Sequence, residues 1–244
     1  SFRDNVSVQT NALRYNASNG AAITSSVNGI TVNATENFCR VSNLQIAGTH
    51  ATQSRVLVVQ NNQTVQNCII EGKFTDTQTN RGILAPESST IKNCLIVQLA
   101  SAADHIIGTG TGSPKFYNCT IVAADDLATA PTRVFISGAS GTVTVQNCGL
   151  FAGDSTKAIK AGSATFNFTT CFSDISGTAG VTQATYTSEF QNVTDAARDF
   201  RLKSGAAQID TGTTDATNAA TDIAGTARPQ GAAYDVGCWE LVAA

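Results

Sequence analysis

The chain has 244 residues, a formal net charge of −3 at pH 7, and only 14% charged residues against 42% hydrophobic ones. Charged residues usually make up about 25% of a globular chain, so this composition disfavours long surface helices and favours strands and turns. The acidic balance argues against a nucleic-acid-binding protein, and no apolar run of about 18 residues predicts a membrane span. The chain contains no Met, which we interpret as the sign of a processed, trimmed or partial sequence.

An internal repeat of about 25 residues is the strongest signal in the sequence. Each copy places an Asn-Cys pair between two short β-prone stretches, and a third β-prone stretch follows after a loop. Four clear copies lie at 64–70, 90–96, 115–121 and 144–150, and weaker ones at 39–46 and 166–172. Leucine-rich repeats share this period but need several Leu per unit, which the chain lacks. Three strands per unit predict a parallel β-helix, an all-β solenoid whose strands pair with those of the next coil.

Equal positions of stacked coils form columns, because adjacent coils lie about 4.8 Å apart. Asn tolerates the left-handed backbone of a sharp bend, and its amide can bond along the stack. We therefore expect an asparagine ladder followed by a column of inward-pointing cysteines. The ladder consists of Asn43, Asn67, Asn93, Asn118 and Asn147, and the cysteine column of Cys68, Cys94, Cys119, Cys148 and Cys171.

The stacked cysteines point in parallel, which is a poor geometry for disulfides. Neither CxxC pairs nor His partners accompany them, so they do not predict a metal site, and we expect no cofactor. We expect buried, reduced thiols and hence folding in a reducing compartment. Asn118 heads an Asn-x-Thr triplet, and a glycan there would destroy the ladder, so a bacterial or viral source fits better than a eukaryotic secretory one.

The third stretch of each unit is apolar at both odd and even positions, at 56–59, 82–85, 105–107 and 133–136. One face fills the interior, and the other would leave an apolar stripe that marks an interface or lies beneath loops. Either of the two sets of alternate positions could face outward, which gives two alternative stripes. They are Ile83, Ile107 and Phe135, or Leu84, Ile106 and Ile136.

Charged residues recur in the loops that precede this stretch. Carboxylates lie 6 to 10 residues after the ladder Cys of a unit, and cations lie at the start of the strand that follows. Arg55 belongs to the same column of cations, one coil earlier. If the loop lengths permit, the two rows face each other along one side of the solenoid. The candidate sugar- or ion-binding groove consists of Asp76, Arg81, Asp104, His105, Asp125, Asp126, Arg133 and Asp154. Because the acidic positions scatter, we prefer mutual charge compensation to a catalytic groove.

The Asn column resembles the asparagine ladder of right-handed parallel β-helix proteins, the pectate lyase superfamily in its broad sense. Residues 199–240 resemble the closing motif of such chains in tailed bacteriophages and on bacterial surfaces. The resemblance implies a right-handed β-helix over residues 1–189, with 190–244 as a closing or cap segment of the same domain. Lyases of this superfamily use a tight Asp cluster for Ca²⁺ and an Arg or Lys base. This chain shows no such cluster, so we assign no catalytic residue.

We therefore expect a non-enzymatic structural or attachment protein of a bacteriophage virion, in capsid decoration or associated with the tail. The alternative is a carbohydrate-active or carbohydrate-binding protein of a bacterial surface. The expected partners are other virion proteins or copies of the chain itself, through the apolar stripe or the N-terminal end of the solenoid, with polysaccharide as a further candidate. Residues 8–13 resemble one more coil, and no amphipathic helix within 1–30 predicts a cover for that end.

Overall fold

The computed structural model describes most of the chain between residues 12 and 242. The described ranges are 12–18, 21–26, 29–34, 36, 38–50, 55–74, 81–85, 88–99, 106–109, 111–123, 135–137, 140–153, 157–194 and 197–242. Within them, the backbone alone is described at 50, 74, 81–85 and 135–137.

Three parallel sheets wind around a common interior. The first sheet comprises β1 (Ala22–Ser25), β4 (Gln45–His50), β7 (Ile69–Phe74), β10 (Leu95–Leu99), β13 (Thr120–Ala123), β16 (Gly149–Phe151), β18 (Cys171–Ser173) and β19 (Val181–Gln183). The second sheet comprises β2 (Ile30–Ala34), β5 (Arg55–Val59), β8 (Arg81–Ala85), β11 (Ile107–Thr109) and β14 (Phe135–Ser137). The third sheet comprises β3 (Arg40–Ser42), β6 (Thr64–Gln66), β9 (Thr90–Lys92), β12 (Lys115–Tyr117), β15 (Thr142–Gln146) and β17 (Thr165–Thr169).

Each strand pairs in parallel with the strand that occupies the same position one coil away. Leu95, for example, is in register with Ile69 on one side and Thr120 on the other. The chain visits the first, second and third sheets in turn before it returns to the first. This is the right-handed, single-stranded parallel β-helix that the sequence predicted.

The asparagine ladder forms the corner between the third and first sheets. Its five Asn residues have φ between 50° and 57°, the left-handed conformation that the bend requires. Backbone bonds link the corners of successive coils, as between Asn93 N and Tyr117 O at 3.0 Å. One pair of ladder side chains bonds along the stack as well, with Asn147 Nδ2 donating to Asn118 Oδ1 at 3.3 Å. Thr170, with φ 51°, takes the ladder position of the following coil.

The interior is a stack of apolar columns. The five ladder cysteines are fully buried among them, and all seven cysteines of the chain are free thiols, as predicted. The first sheet contributes Ile46, Ile70, Ile96, Ile121 and Leu150, and the third contributes Val65, Ile91, Phe116 and Val145. The third sheet thus alternates between buried and half-exposed positions, which is the pattern of a sheet with one solvated face.

Neither of the two predicted apolar stripes on the second sheet holds as stated, because Ile106 and Ile107 both lie fully buried in the interior cluster. The register aligns Val58, Leu84, Gly108 and Ile136 in one outer row. Gly108 interrupts that row, and Val58 is itself buried. Strict alternation along the strand fails at Ile106, because this residue precedes β11 and its side chain turns inward at the start of the strand.

The C-terminal segment packs along the outer face of the first sheet. Outward side chains of this sheet and residues of 186–239 form a second apolar cluster. Its sheet members are Ile69, Leu95, Val97, Val122, Phe151 and Phe172, and its covering members include Tyr186, Phe190, Phe200, Leu202, Ile223, Val236 and Trp239. The strands β10, β13, β16 and β18 of the first sheet are therefore buried on both faces. The closing motif was expected to close the solenoid, and its described contacts lie along the flank.

The covering segment contains little regular structure. Two short helices, α1 (Tyr186–Glu189) and α2 (Ala216–Ala219), accompany an antiparallel pair formed by β20 (Phe190–Asn192) and β21 (Asp199–Leu202). No described helix has the length and apolar character needed to cross a membrane.

The described part of the N-terminal segment also lies on the flank. The Leu13 amide donates to Asp199 Oδ1 at 2.9 Å, and the Leu13 carbonyl accepts from Phe200 N at 3.0 Å. Leu13 therefore packs beside the covering segment and does not continue a coil. The other members of the predicted coil, 8–11, lie outside the described residues.

Candidate functional site

The predicted groove falls almost entirely outside the described residues. Arg81 opens β8, where its backbone is in register with Arg55 of β5, so the two residues occupy the same position of successive coils. Asp76, Asp104, His105, Asp125, Asp126, Arg133 and Asp154 lie outside the described residues, and their grouping stays a prediction.

A polar cleft of about 580 Å³ opens beside the last coil. It lies where β16, β18 and β19 end and α1 begins. Its lining consists of Gly153, Asp174, Gln183, Ala184, Thr185, Tyr186 and Thr187. Gly153 directly precedes Asp154, the last acidic residue of the predicted groove. The cleft thus brings a carboxyl, an amide, two hydroxyls and an aromatic ring together.

Asp174 is held in place by the last turns of the solenoid. Its Oδ1 accepts a hydrogen bond from Ala152 N at 2.9 Å, and its side chain is largely buried. The Gln183 amide reaches the Asp174 carbonyl at 3.5 Å. Carboxyl, amide and hydroxyl groups can hydrogen-bond a hydroxyl-rich ligand, whereas the Tyr186 ring is buried in the outer cluster. Among the described lining residues, Asp174 alone carries a carboxyl, whereas glycoside hydrolysis uses two.

The sequence reasoning missed Asp174, because it lies beyond the clear copies of the repeat. A signal for it exists, however. Asp174 lies three residues after Cys171, and at this offset the earlier coils carry Glu71, Val97, Val122 and Phe151. A carboxyl that follows three coils whose residue at this position is apolar and covered marks the place where the covering segment begins.

A second cleft of about 450 Å³ lies between the N-terminal segment and the first sheet. Arg14, Tyr15, Glu71 and Arg198 line it, together with the apolar side chains of Leu99 and Phe200. Burial, and to a lesser extent the charge of Glu71, raises the pKa of the Tyr15 hydroxyl. The neighbouring Gln45 amide fixes this segment by bonding both the backbone N and the carbonyl O of Asn16, at 2.8 and 2.9 Å.

Four charged residues of the closing motif, Asp222, Arg228, Asp235 and Glu240, are buried and bind the backbone. Asp222 accepts from Thr226 N and Glu240 N, at 2.8 and 3.1 Å. Asp235 accepts from Asp210 N and Leu241 N, at 2.8 and 2.7 Å. The Arg228 guanidinium donates to the carbonyls of Asp235 and Gly237, and lies 3.5 Å from Glu240 Oε2. Burial raises the pKa of Asp222, Asp235 and Glu240, although their backbone bonds and Arg228 oppose it.

This network also ties the covering segment to the ladder. Asn147 exchanges hydrogen bonds with the backbone of Thr213, donating at 2.7 Å and accepting at 2.9 Å. Asn93 Nδ2 donates to Thr221 O at 2.7 Å, and Cys238 N donates to Thr120 Oγ1 at 3.1 Å. The ladder amides therefore serve as a docking strip for the C-terminal segment as well as a stack.

Cys171 lies in the interior cluster, and Cys238 and Trp239 lie in the outer cluster. Burial raises the pKa of the Cys171 and Cys238 thiols to about 12, so both are poor nucleophiles at neutral pH. Trp239 is 2% exposed and packs in the outer cluster. His50 ends β4, where only its backbone is described. Among the described residues, no group of three or more His, Cys, Asp or Glu is arranged to hold a metal ion.

Comparison with known proteins gives one structural likeness. No family model and no curated protein sequence matches the chain. The chain is similar in structure to the crystal structure of a pectate lyase, Pel9A, with a TM-score of 0.50 and 13% sequence identity. The match covers 91% of this chain and 70% of the lyase. At this identity the likeness shows a shared parallel β-helix fold and carries no activity over.

Proposed function

We propose that this chain is a non-enzymatic structural or attachment protein, and specifically a component of a bacteriophage virion, on its capsid or tail. The observation that carries the proposal is the use of the closing motif. Asp222, Arg228, Asp235 and Glu240 are nearly fully buried and bind the backbone of the covering segment. The charged residues of the motif on which the expected resemblance to phage proteins rests therefore stabilise the covering segment.

The surface that remains open suits adhesion better than catalysis. The outer face of the third sheet is a regular array of half-exposed polar side chains, one pair per coil. Its two rows are Thr64, Thr90, Lys115 and Thr144, and Gln66, Lys92, Tyr117 and Gln146. A flat array at a spacing of about 4.8 Å offers repeated weak contacts to an extended partner, and repetition raises total affinity without a deep pocket.

Immunogold electron microscopy tests this proposal directly. Antibodies against the folded chain are applied to intact particles and to cell-envelope fractions from the source culture. We expect gold at fixed positions on phage-like particles. Labelling restricted to the cell envelope or to the secreted fraction would contradict a virion role.

A second candidate function is carbohydrate binding, which the cleft around Asp174 favours. Titration with neutral and acidic oligosaccharides, followed by intrinsic fluorescence and calorimetry, tests it. Binding that weakens at least tenfold in Asp174→Asn, while the control variant Glu36→Gln at an exposed carboxyl outside the cleft lining binds normally, would support this candidate. Saturable binding that is equal in both variants, or no binding at all, would exclude the cleft.

A further inference from the structure

A further cleft, of about 230 Å³, opens where the C-terminal segment leaves the docking strip of ladder amides. Its walls come from two parts of the chain. The third sheet and the ladder contribute Gln66, Asn67, Lys92 and Asn93, and the covering segment contributes Ala216, Thr217, Asn218, Ala220 and Thr221, from α2 and the residues that follow it. The cleft is therefore polar and is bounded on one side by the ladder itself.

The chain shows twice how a side-chain amide can hold a backbone segment. Asn147 donates to Thr213 O at 2.7 Å and accepts from Thr213 N at 2.9 Å. Gln45 bonds both backbone groups of Asn16 in the same way, at 2.8 and 2.9 Å. In each case one amide satisfies the donor and the acceptor of a single residue, as the opposite residue of an antiparallel strand does.

This use of the ladder is half complete at Asn93 and stops there. Asn93 Nδ2 donates to Thr221 O at 2.7 Å, but its Oδ1 is buried and has no hydrogen-bond partner among the described residues. After Thr221 the covering segment turns back on itself, where Asp222 N donates to Thr226 O at 2.8 Å. Asn67 is the next ladder residue, and its buried Oδ1 also lacks a partner within the described part of the chain. The strip thus extends one coil further than the segment that docks on it.

The two amides leave hydrogen-bonding capacity unused at the wall of the cleft. Asn67 and Asn93 are only 6% and 4% exposed. A buried acceptor without a hydrogen bond costs free energy, so a ligand that donates to it gains more than it would at an exposed amide. The last torsion of an Asn side chain is soft, and a small rotation turns the oxygen towards a ligand in the cleft.

The charge of the cleft indicates what such a ligand carries. Lys92 is the one charged residue of the described lining, and it is half-buried. Among the described residues its ammonium group forms no ion pair. The carboxyl of Asp215, just before α2, is engaged elsewhere, because it accepts from Asn218 N and Asn218 Nδ2. The cleft therefore favours a ligand with a negative group.

We propose that this cleft binds the backbone of a peptide segment of another protein, with an acidic side chain of that segment beside Lys92. Asn67 pairs with the donor and the acceptor of one peptide residue, as Asn147 does with Thr213, and Asn93 Oδ1 accepts a further bond. The bound peptide continues the path that the C-terminal segment follows along the ladder. Both amide clamps within the chain hold peptide backbone, which favours a peptide over a saccharide as the ligand. The inference does not depend on a virion role.

Nuclear magnetic resonance of the full chain labelled with ¹⁵N tests the proposal, because side-chain amides give their own signals. The probe is a pool of blocked hexapeptides with Asp at the third position and Thr or Val elsewhere, compared with the same pool carrying Asn. We expect saturable shifts of the Asn67 and Asn93 side-chain signals with the Asp pool, and at least fivefold weaker binding of the Asn pool. Equal binding of the two pools, or no shift with either, would overturn the proposal. Shifts with an acidic oligosaccharide alone would assign the cleft to a saccharide instead.

Three variants locate the contact. Lys92→Gln should weaken binding of the Asp pool at least fivefold, whereas Lys115→Gln, at an exposed lysine of the same sheet outside the cleft lining, should bind as the wild type does. Asn67→Gly removes the amide at a backbone position with φ 54°, which Gly tolerates, and should weaken binding at least tenfold with the circular dichroism unchanged. If that variant does not fold, the two lysine variants decide. Binding that is unchanged in Lys92→Gln, or shifts of the same signals when the chain alone is concentrated, would overturn the proposal.

Discussion

The first and third sheets share one repeat and one backbone geometry, yet their outer faces have opposite environments. Outward positions of the first sheet carry Ile69, Leu95 and Phe151, which the C-terminal segment buries. The equivalent positions of the third sheet carry residues such as Thr90 and Lys115 and stay half-exposed or exposed. Both sheets present the same apolar columns to the interior. The comparison shows that the inward pattern builds the solenoid, whereas the outward pattern determines what lies against it.

The two outer faces also differ in whether another part of the chain must cover them. The third sheet keeps its polar rows half-exposed or exposed, and the described part of the C-terminal segment reaches only the row next to the ladder, beside Gln66 and Lys92. The first sheet needs a complementary segment, and the detail of that fit is visible at Gly149, where a Cβ would lie 2.6 Å from Gln208 Oε1. In the other clear copies of the repeat this position is Ile69, Leu95 or Thr120. The absence of a side chain at Gly149 therefore makes room for the covering segment where it crosses the sheet.

Replacing an outward aromatic residue on each sheet gives the largest expected contrast. Phe151 is fully buried, stacks on Tyr186 with ring centroids 5.8 Å apart, and contacts Phe190 edge-to-face with centroids 5.2 Å apart. We expect Phe151→Ala to lower the free energy of unfolding by about 3–5 kcal/mol. Tyr117→Ala, on the open face of the third sheet, should lower it by about 1 kcal/mol or less. Urea denaturation measures both, and equal effects would contradict the proposed cover.

Enlarging Gly149 is expected to have the next largest effect. In Gly149→Leu the new side chain competes with the buried Gln208 amide and with the Phe151 ring. We expect a loss of about 1–3 kcal/mol from overpacking. Thr144→Leu is the matched control, because it adds an apolar side chain to the open face of the third sheet. A variant at 149 that is as stable as this control would show that Gln208 does not lie over the first sheet.

The closing network should make stability depend on pH. Because burial raises the pKa of Asp222, Asp235 and Glu240, the folded chain retains protons that the unfolded chain has already released. Their stabilising contribution is complete below their unfolded pKa values, near 4, and is lost as the pH rises through the folded ones. In Asp222→Asn the free energy of unfolding should therefore fall less steeply with pH than in the wild type. A steeper fall in the variant would mean that the carboxyl is charged and stabilised in the fold.

Thiol reactivity should show the smallest effect, a difference in rate without a change in stability. Since the pKa values of Cys171 and Cys238 are raised to about 12, both should remain unmodified by iodoacetamide at pH 8 in the folded chain. Cys39, the one half-buried thiol, should react first. Peptide mapping by mass spectrometry distinguishes them. Rapid modification of Cys171 in the folded chain would contradict its place in the interior.

The part of the structure that repeats could be predicted from the sequence. The ladder Asn residues, the cysteine column and the inward Val65 and Phe116 occupy the predicted places, because each lies at a fixed offset within a local unit. The path of the C-terminal segment could not be predicted, since the contact of Gln208 with Gly149 joins distant positions and has no periodicity. Asp174 was missed because the last recognisable copy of the repeat ends next to Cys171.

The central claim is that the solenoid and the C-terminal segment form one folding unit, and the chain supplies a natural probe of it. Trp239, the sole tryptophan, lies in the outer cluster between that segment and the first sheet. Its fluorescence reports the segment, whereas far-ultraviolet circular dichroism reports mainly the solenoid strands. Urea unfolding should therefore give coincident transitions by the two probes, as expected for a single cooperative unit. A fluorescence transition at lower urea concentration, with the circular dichroism retained, would contradict the claim, because it would show a separately folding appendage.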